Sequence, residues 1–208
     1  MIRTILQELK NHAPYTFFGA SIGIIIAMIL KNLPESTIFK LFYVFHPLHV
    51  LLSAFITTSM YKLHKKDANI LKIILVGFIG SVGVATLSDS ILPFIGETIL
   101  HFPHRELHLG FIEKWYIVNP IAMLGIVLAI KKPFTKFPHS AHIFVSTSAS
   151  LMHIMMSISG LIMTIPLYFA IVFLLFLSVW LPCCFSDIVF PLFFVSDKEI
   201  KHCSCCKL

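Results

Sequence analysis

The chain has 208 residues, of which 57% are hydrophobic and 12% charged, and its formal net charge is +6. A soluble domain is usually about 25% charged, and the mean hydropathy here is +0.89, so the composition excludes a water-soluble enzyme and points to an integral membrane protein. The positive charge sits in short polar segments between apolar runs, which makes it a topology signal and gives no reason to expect a nucleic-acid partner.

The segment from Met1 to Lys10 is short and mixed in charge, with no small-residue cleavage site behind an apolar core, and reads as a retained interfacial helix. Apolar runs follow at about 15–31, 38–61, 70–95, 115–130, 139–160 and 161–195. About 20 residues span a hydrocarbon core as helix, so the expected fold class is an all-α integral membrane protein of six transmembrane helices in a single domain. The last run is too long for one straight span, and Pro182 and Pro191 predict a break or kink near its end. Gly19, Gly23, Gly77, Gly80 and Gly83 read as close-packing positions between helices, and Met152, Met155 and Met156 as packing residues.

Basic residues set the orientation. Arg3, Lys10, Lys62, Lys65, Lys66, Lys72, Lys131, Lys132, Lys136, Lys198, Lys201 and Lys207 fall on one side of the six-span topology, while Lys31, Lys40, Arg105 and Lys114 fall on the other. The positive-inside rule then places both termini in the cytoplasm.

Two phrases occur twice. Leu87-Ser88-Asp89-Ser90-Ile91-Leu92-Pro93-Phe94 and Phe185-Ser186-Asp187-Ile188-Val189-Phe190-Pro191-Leu192 share the pattern apolar-Ser-Asp-x-apolar-apolar-Pro-apolar. His46, His49, Ser53 and Thr57 match His139, His142, Ser146 and Ser150 at one constant offset, and Pro14 with Gly19 resembles Pro120 with Gly125. The shared order suggests internal repeats over about 13–100 and 115–195, followed by a short Cys/His tail at 196–208. Three spans per half is an odd number, so the second copy must be inverted. The expected architecture is a 3+3 inverted-topology repeat whose third helix in each half is broken or Pro-kinked, a recurring plan of secondary transporters.

Asp89 and Asp187 lie inside apolar stretches, and an intramembrane carboxylate is a functional-site hypothesis by default. Asp89 follows the start of its helix by about 19 residues, or ~29 Å at 1.5 Å per residue. Topology therefore groups His46, His49 and Asp89 towards the outside and His139, His142 and Asp187 towards the cytoplasm, as two stations on one pathway. Histidines three apart share a helix face, and imidazole with carboxylate suits zinc, iron, manganese, cobalt or nickel. Ser53, Thr57, Ser88, Ser146, Ser150 and Ser186 are candidates to line the route, and Cys183 and Cys184 before the second phrase would favour a softer ion.

Other readings compete residue by residue. Ser-Asp before an apolar run is also an N-cap signal, which would make each Asp the start of a short helix. The outer loop carries His101, His104 and His108 among Glu97, Glu106 and Glu113, either a metal-gathering mouth or a solvated polar loop. The tail residues His202, Cys203, Cys205 and Cys206 suit a metal site or lipidation of juxtamembrane cysteines. All five cysteines fall on the cytoplasmic side, so no structural disulfide is expected.

The expected function is transport of a divalent transition-metal cation, and no catalytic residue is assigned. One alternative is a dihaem b-type cytochrome, with His139 and His153 on one helix facing His49 and His64 on an antiparallel one, haem being the cofactor. Another is an intramembrane metal-dependent hydrolase. Six short helices leave little room for a closed pathway, which is consistent with a homodimer. On the basic-residue pattern, cysteine labelling from the two sides should reach positions 65 and 132 from the cytoplasm and position 104 from the opposite side; reaction of 65 and 104 from one side would sink the six-span count.

Overall fold

The computed structural model describes residues 2–30, 32–65, 67–134, 136–162 and 164–195, with side chains for these other than 2–12, 15, 24, 27, 136–140, 184, 187 and 188. Every regular element among the described residues is helical: α1 (Ile2–Leu30), α2 (Glu35–His64), α3 (Ile70–Ile99), a single turn α4 (Gly110–Glu113), α5 (Trp115–Lys131), α6 (Lys136–Ser157) and α7 (Ile165–Cys184). Each apolar run thus becomes helix, as backbone N–H and C=O groups require when no water is at hand to satisfy them. Glu35–His64, Ile70–Ile99 and Ile165–Cys183 are long and apolar enough to cross a membrane.

Local chemistry sets the ends. Asn69 caps α3, its side chain accepting a hydrogen bond from the Leu71 N–H at 3.0 Å, and a proline occupies the first turn of α7. Lys62 donates to the Ile130 carbonyl, satisfying an acceptor in the last turn of α5. Between α6 and α7 the chain turns at Gly160, whose φ of 77° is open to glycine at no steric cost.

Two expectations change. The N-terminal segment is not a separate interfacial helix, because α1 runs continuously through Pro14. The Ser-Asp-Pro phrases do not break their helices either. Each lies in a widened π turn, Leu87–Ile91 within α3 and Phe185–Val189 beyond α7, the latter followed by Phe190–Leu192. A proline ring clashes with the carbonyl four residues earlier, which for Pro93 and Pro191 is that of Asp89 and Asp187. Widening the turn relieves the clash without ending the helix, and such bulges are frequent at functional sites. Asp89 is therefore inside a helix and does not cap one.

Packing inverts the arrangement of a soluble protein. Phe18, Ile29, Phe169 and Phe173 are exposed, whereas His46, Ser53, Thr57, Ser88, Asp89, Glu97, His142 and Ser146 are fully buried. The largest apolar cluster joins Ile38 and Phe42 of α2 to Leu151, Met152, Ile154, Met155 and Met156 of α6 and Ile171 and Leu175 of α7. The three methionines are core residues here. Helix α2 is central and lies against both α5 and α6, while α1 lies against α6 and α7.

Glycines permit the closest approaches. A Cβ on Gly125 would stand 2.5 Å from the Leu51 carbonyl oxygen and 3.0 Å from the Ala54 Cβ, so α5 and α2 meet at backbone distance. Gly83, by contrast, faces open space, and the packing role expected for it does not apply. Gly125→Ala should cost about 1–3 kcal/mol by overpacking, whereas Gly83→Ala should be neutral or gain up to about 1 kcal/mol from helix propensity. Thermal unfolding of the two variants in detergent checks the contrast.

Candidate functional site

On α2, His46, His49, Ser53 and Thr57 recur at helical spacing on one buried face. Facing them, the π turn of α3 presents Asp89, α6 presents His142, Ser146 and Ser150, and the end of α7 presents Cys183, with Ser186 in the widened turn beyond it.

Asp89 organises the first group. Its Oδ2 accepts from His46 Nδ1 at 2.9 Å and from His49 Nδ1 at 2.7 Å. Its Oδ1 accepts from Ser88 Oγ at 2.7 Å and Ser146 Oγ at 3.4 Å. A carboxylate that accepts hydrogen bonds from both Nδ1–H groups leaves Nε2 of each ring as the lone-pair nitrogen. His49 Nε2 is then aimed at His142 Nε2, 2.6 Å away, with the two rings tilted by 37°. Cys183 Sγ lies 4.0 Å from His49 Nε2 and donates to Ser146 Oγ at 3.4 Å. Ligand atoms of His49, His142 and Cys183 all fall within 4.8 Å of one another. The two-station geometry accordingly changes: His142 does not sit apart on a cytoplasmic side but meets His49 at one centre. His46 Nε2 has no hydrogen-bond partner and faces Gly110, where a Cβ would stand 2.5 Å away.

The hydroxyls continue the site as a reciprocal network. Thr57 Oγ1 of α2 donates to the Ser186 carbonyl at 3.2 Å, and its counterpart Ser150 of α6 donates to the Ser88 carbonyl at 3.0 Å. Ser53 Oγ pairs with Ser186 Oγ at 3.0 Å, while its counterpart Ser146 bonds Asp89. Ser186 Oγ also donates to the Gly80 carbonyl at 3.1 Å. In the Thr57 and Ser150 bonds a hydroxyl of one helix meets a carbonyl in the π turn of another, satisfying acceptors that the widened turns leave without ordinary helical partners.

A further buried pair lies beyond this centre. Glu97 Oε1 accepts from His153 Nδ1 at 2.9 Å, and both side chains are buried. The apolar run ends at about residue 95 in the sequence, which puts Glu97 in the loop that follows, yet α3 continues to Ile99. Its spacing of two helical turns from Asp89 on the same helix is the signal that could have exposed it.

The histidines between α3 and α5 do not share one arrangement. His101 adopts a φ of 56° and bonds the Ile99 carbonyl at 2.9 Å, His104 is exposed, and His108 lies 3.4 Å from Glu113. Burial raises the Glu113 pKa, but the Tyr43 hydroxyl, the Leu109 N–H and His108 outweigh it and hold the carboxyl below its ordinary value. The His64 ring nitrogen bonds the Met60 carbonyl at 2.8 Å. Side chains of His139, Cys184 and Asp187, and the tail residues His202, Cys203, Cys205 and Cys206, lie outside the described residues.

Comparison of the chain with protein-family models, curated protein sequences and solved structures finds no match. Removing either reciprocal hydroxyl strands a buried carbonyl, so Thr57→Val and Ser150→Ala should each destabilise the bundle by about 1–3 kcal/mol. Equal losses in chemical denaturation would fit the reciprocity, and no loss in either variant would contradict it.

Proposed function

We propose that the chain is a membrane transporter of a divalent transition-metal cation, held during passage by His49 Nε2, His142 Nε2 and Cys183 Sγ. The observation that carries the reading is that the buried ligand atoms of His49, His142 and Cys183, the first two being matching residues of the two half-sequences, lie within 4.8 Å of one another. The 2.6 Å between the two ring nitrogens is a hydrogen-bonding separation that an ion at about 2.0–2.1 Å from each would widen. Two imidazoles and a thiol suit zinc and its neighbours, with a fourth position open to water or to the next ligand. In this arrangement Asp89 is a positioning residue. It accepts hydrogen bonds from the Nδ1–H groups of His46 and His49, the usual partner of a metal-bound imidazole, and its charge offsets that of an arriving cation.

The architecture we propose with it is a 3+3 inverted repeat of six spans with both termini cytoplasmic. Support comes from the exchange of equivalent contacts: Thr57 to Ser186 against Ser150 to Ser88, and Gly125 beside Ala54 against Gly19 beside Thr147. A site at the repeat interface, flanked by π turns and lined by hydroxyls, is where inverted-repeat transporters place their substrates. Buried polar groups run from Glu97 and His153 through the centre to Ser53, Thr57 and Ser186, a route that a purely structural metal would not need.

Purified protein should bind zinc without showing a Soret band, and in proteoliposomes it should carry zinc. His142→Ala and Cys183→Ala should abolish flux, and Asp89→Asn should weaken zinc binding by about 10–100-fold while the protein still inserts. A Soret band would replace this reading with the haem protein. Zinc bound without flux would replace it with an intramembrane hydrolase, whose metal likewise keeps an open position.

A further inference from the structure

Glu97 and His153 occupy the end of α3 and the last turns of α6, on the loop side of the central cluster. Glu97 is 0% and His153 2% exposed. Their mutual hydrogen bond uses Oε1 and Nδ1, which leaves Glu97 Oε2 and His153 Nε2 buried with no hydrogen-bond partner. Burying two such atoms unsatisfied is costly, more so where charge is involved, so a ligand that engages both is favoured.

The surroundings specify what that ligand is. Both residues line a cavity of about 230 Å³ whose other polar walls include His108 and the exposed Glu35, Glu106 and Arg105. Three carboxylates against one guanidinium make the chamber attractive to cations. The His108 ring stands 5.6 Å, centroid to centroid, from that of His153, close enough for both imidazoles to serve one ion. Phe42 separates this chamber from the centre: it stacks on His46 at 5.3 Å and meets His153 edge-on at 5.7 Å.

We propose that Glu97, His153 and His108 form a second binding site for a divalent transition-metal cation, distinct from the central one. Its donor set is Glu97 Oε2, His153 Nε2 and a nitrogen of His108, with no sulfur. The Glu97 to His153 hydrogen bond plays the same part here as Asp89 plays for His49, fixing which ring nitrogen faces the ion. Under the transport reading this is the loop-side station that loads the centre, with the Phe42 ring as the barrier between them, but the site itself requires only its own residues.

Cobalt(II) titration of the full-length protein in detergent distinguishes the two sites, because thiolate coordination through Cys183 produces an intense charge-transfer absorption that nitrogen and oxygen donors do not. Wild-type protein should bind one equivalent with that absorption and a second without it. Glu97→Gln, which preserves shape and the bond to His153, should weaken the second equivalent at least as much as the ~10–100-fold that loss of an outer partner costs, and leave the thiolate absorption intact. The retained absorption also shows that the variant is folded. His153→Gln should do the same, whereas His142→Ala should remove the absorption and spare the second equivalent. Unchanged cobalt binding in both Glu97→Gln and His153→Gln would overturn the proposal and leave a structural ion pair. Loss of a sulfur-free equivalent in Glu97→Gln without any thiolate absorption in wild type would instead refute the central site and uphold this one.

Discussion

The carboxylate of Asp89, buried in the middle of a helical bundle, is the constraint around which the site is arranged. A charge in such a place costs several kcal/mol unless it is paired and fully hydrogen-bonded. The structure meets that cost with four donors, two imidazole N–H groups on one oxygen and two hydroxyls on the other. Those donors come from α2, α3 and α6, so one side chain ties three helices together and fixes the tautomers of His46 and His49 at the same time. Satisfying the charge and preparing a ligand are a single act.

From that anchor the remaining polar interior follows. The π turns that accommodate Pro93 and Pro191 disturb the regular backbone pattern, and Thr57, Ser150 and Ser186 answer with side-chain hydrogen bonds to carbonyls. In a bundle whose perimeter is apolar, helices gain nothing from hydrophobic contrast with lipid and must associate through packing and polar contacts. Small residues serve both needs here. Gly80 lets Phe190 and Thr57 approach, Gly110 lets His46 seat its ring, and Gly96 admits Leu174. Side chains on these glycines would part the elements that build the site.

Glu97 and His153 show the same solution at a second place, a carboxylate oxygen on Nδ1 with Nε2 left facing away. What differs is the surroundings. The Asp89 group is enclosed, with Cys183 in reach, while the Glu97 group borders a cavity lined by loop residues. On the transport reading proposed above, a softer donor set in the enclosed group and a harder one beside the cavity would let an ion be attracted by charge and then selected by ligand type.

Composition and periodicity by themselves determined the helical membrane class and where each long helix lies, because backbone satisfaction in lipid leaves little choice once an apolar run is long enough. The repeated phrases also named His46, His49, Asp89, His142 and the hydroxyls as residues of one kind of chemistry. Only the tertiary structure decided how they combine. Sequence spacing locates residues along one helix but not the contacts between helices, so it separates His142 from His49 although the two rings meet. For the same reason the sequence places Glu97 in a loop, since its burial depends on His153, which lies on a different helix. The prolines were legible as a disturbance, but whether a helix breaks or widens into a π turn depends on neighbours that can satisfy the displaced carbonyls, and those neighbours come from the other half of the chain.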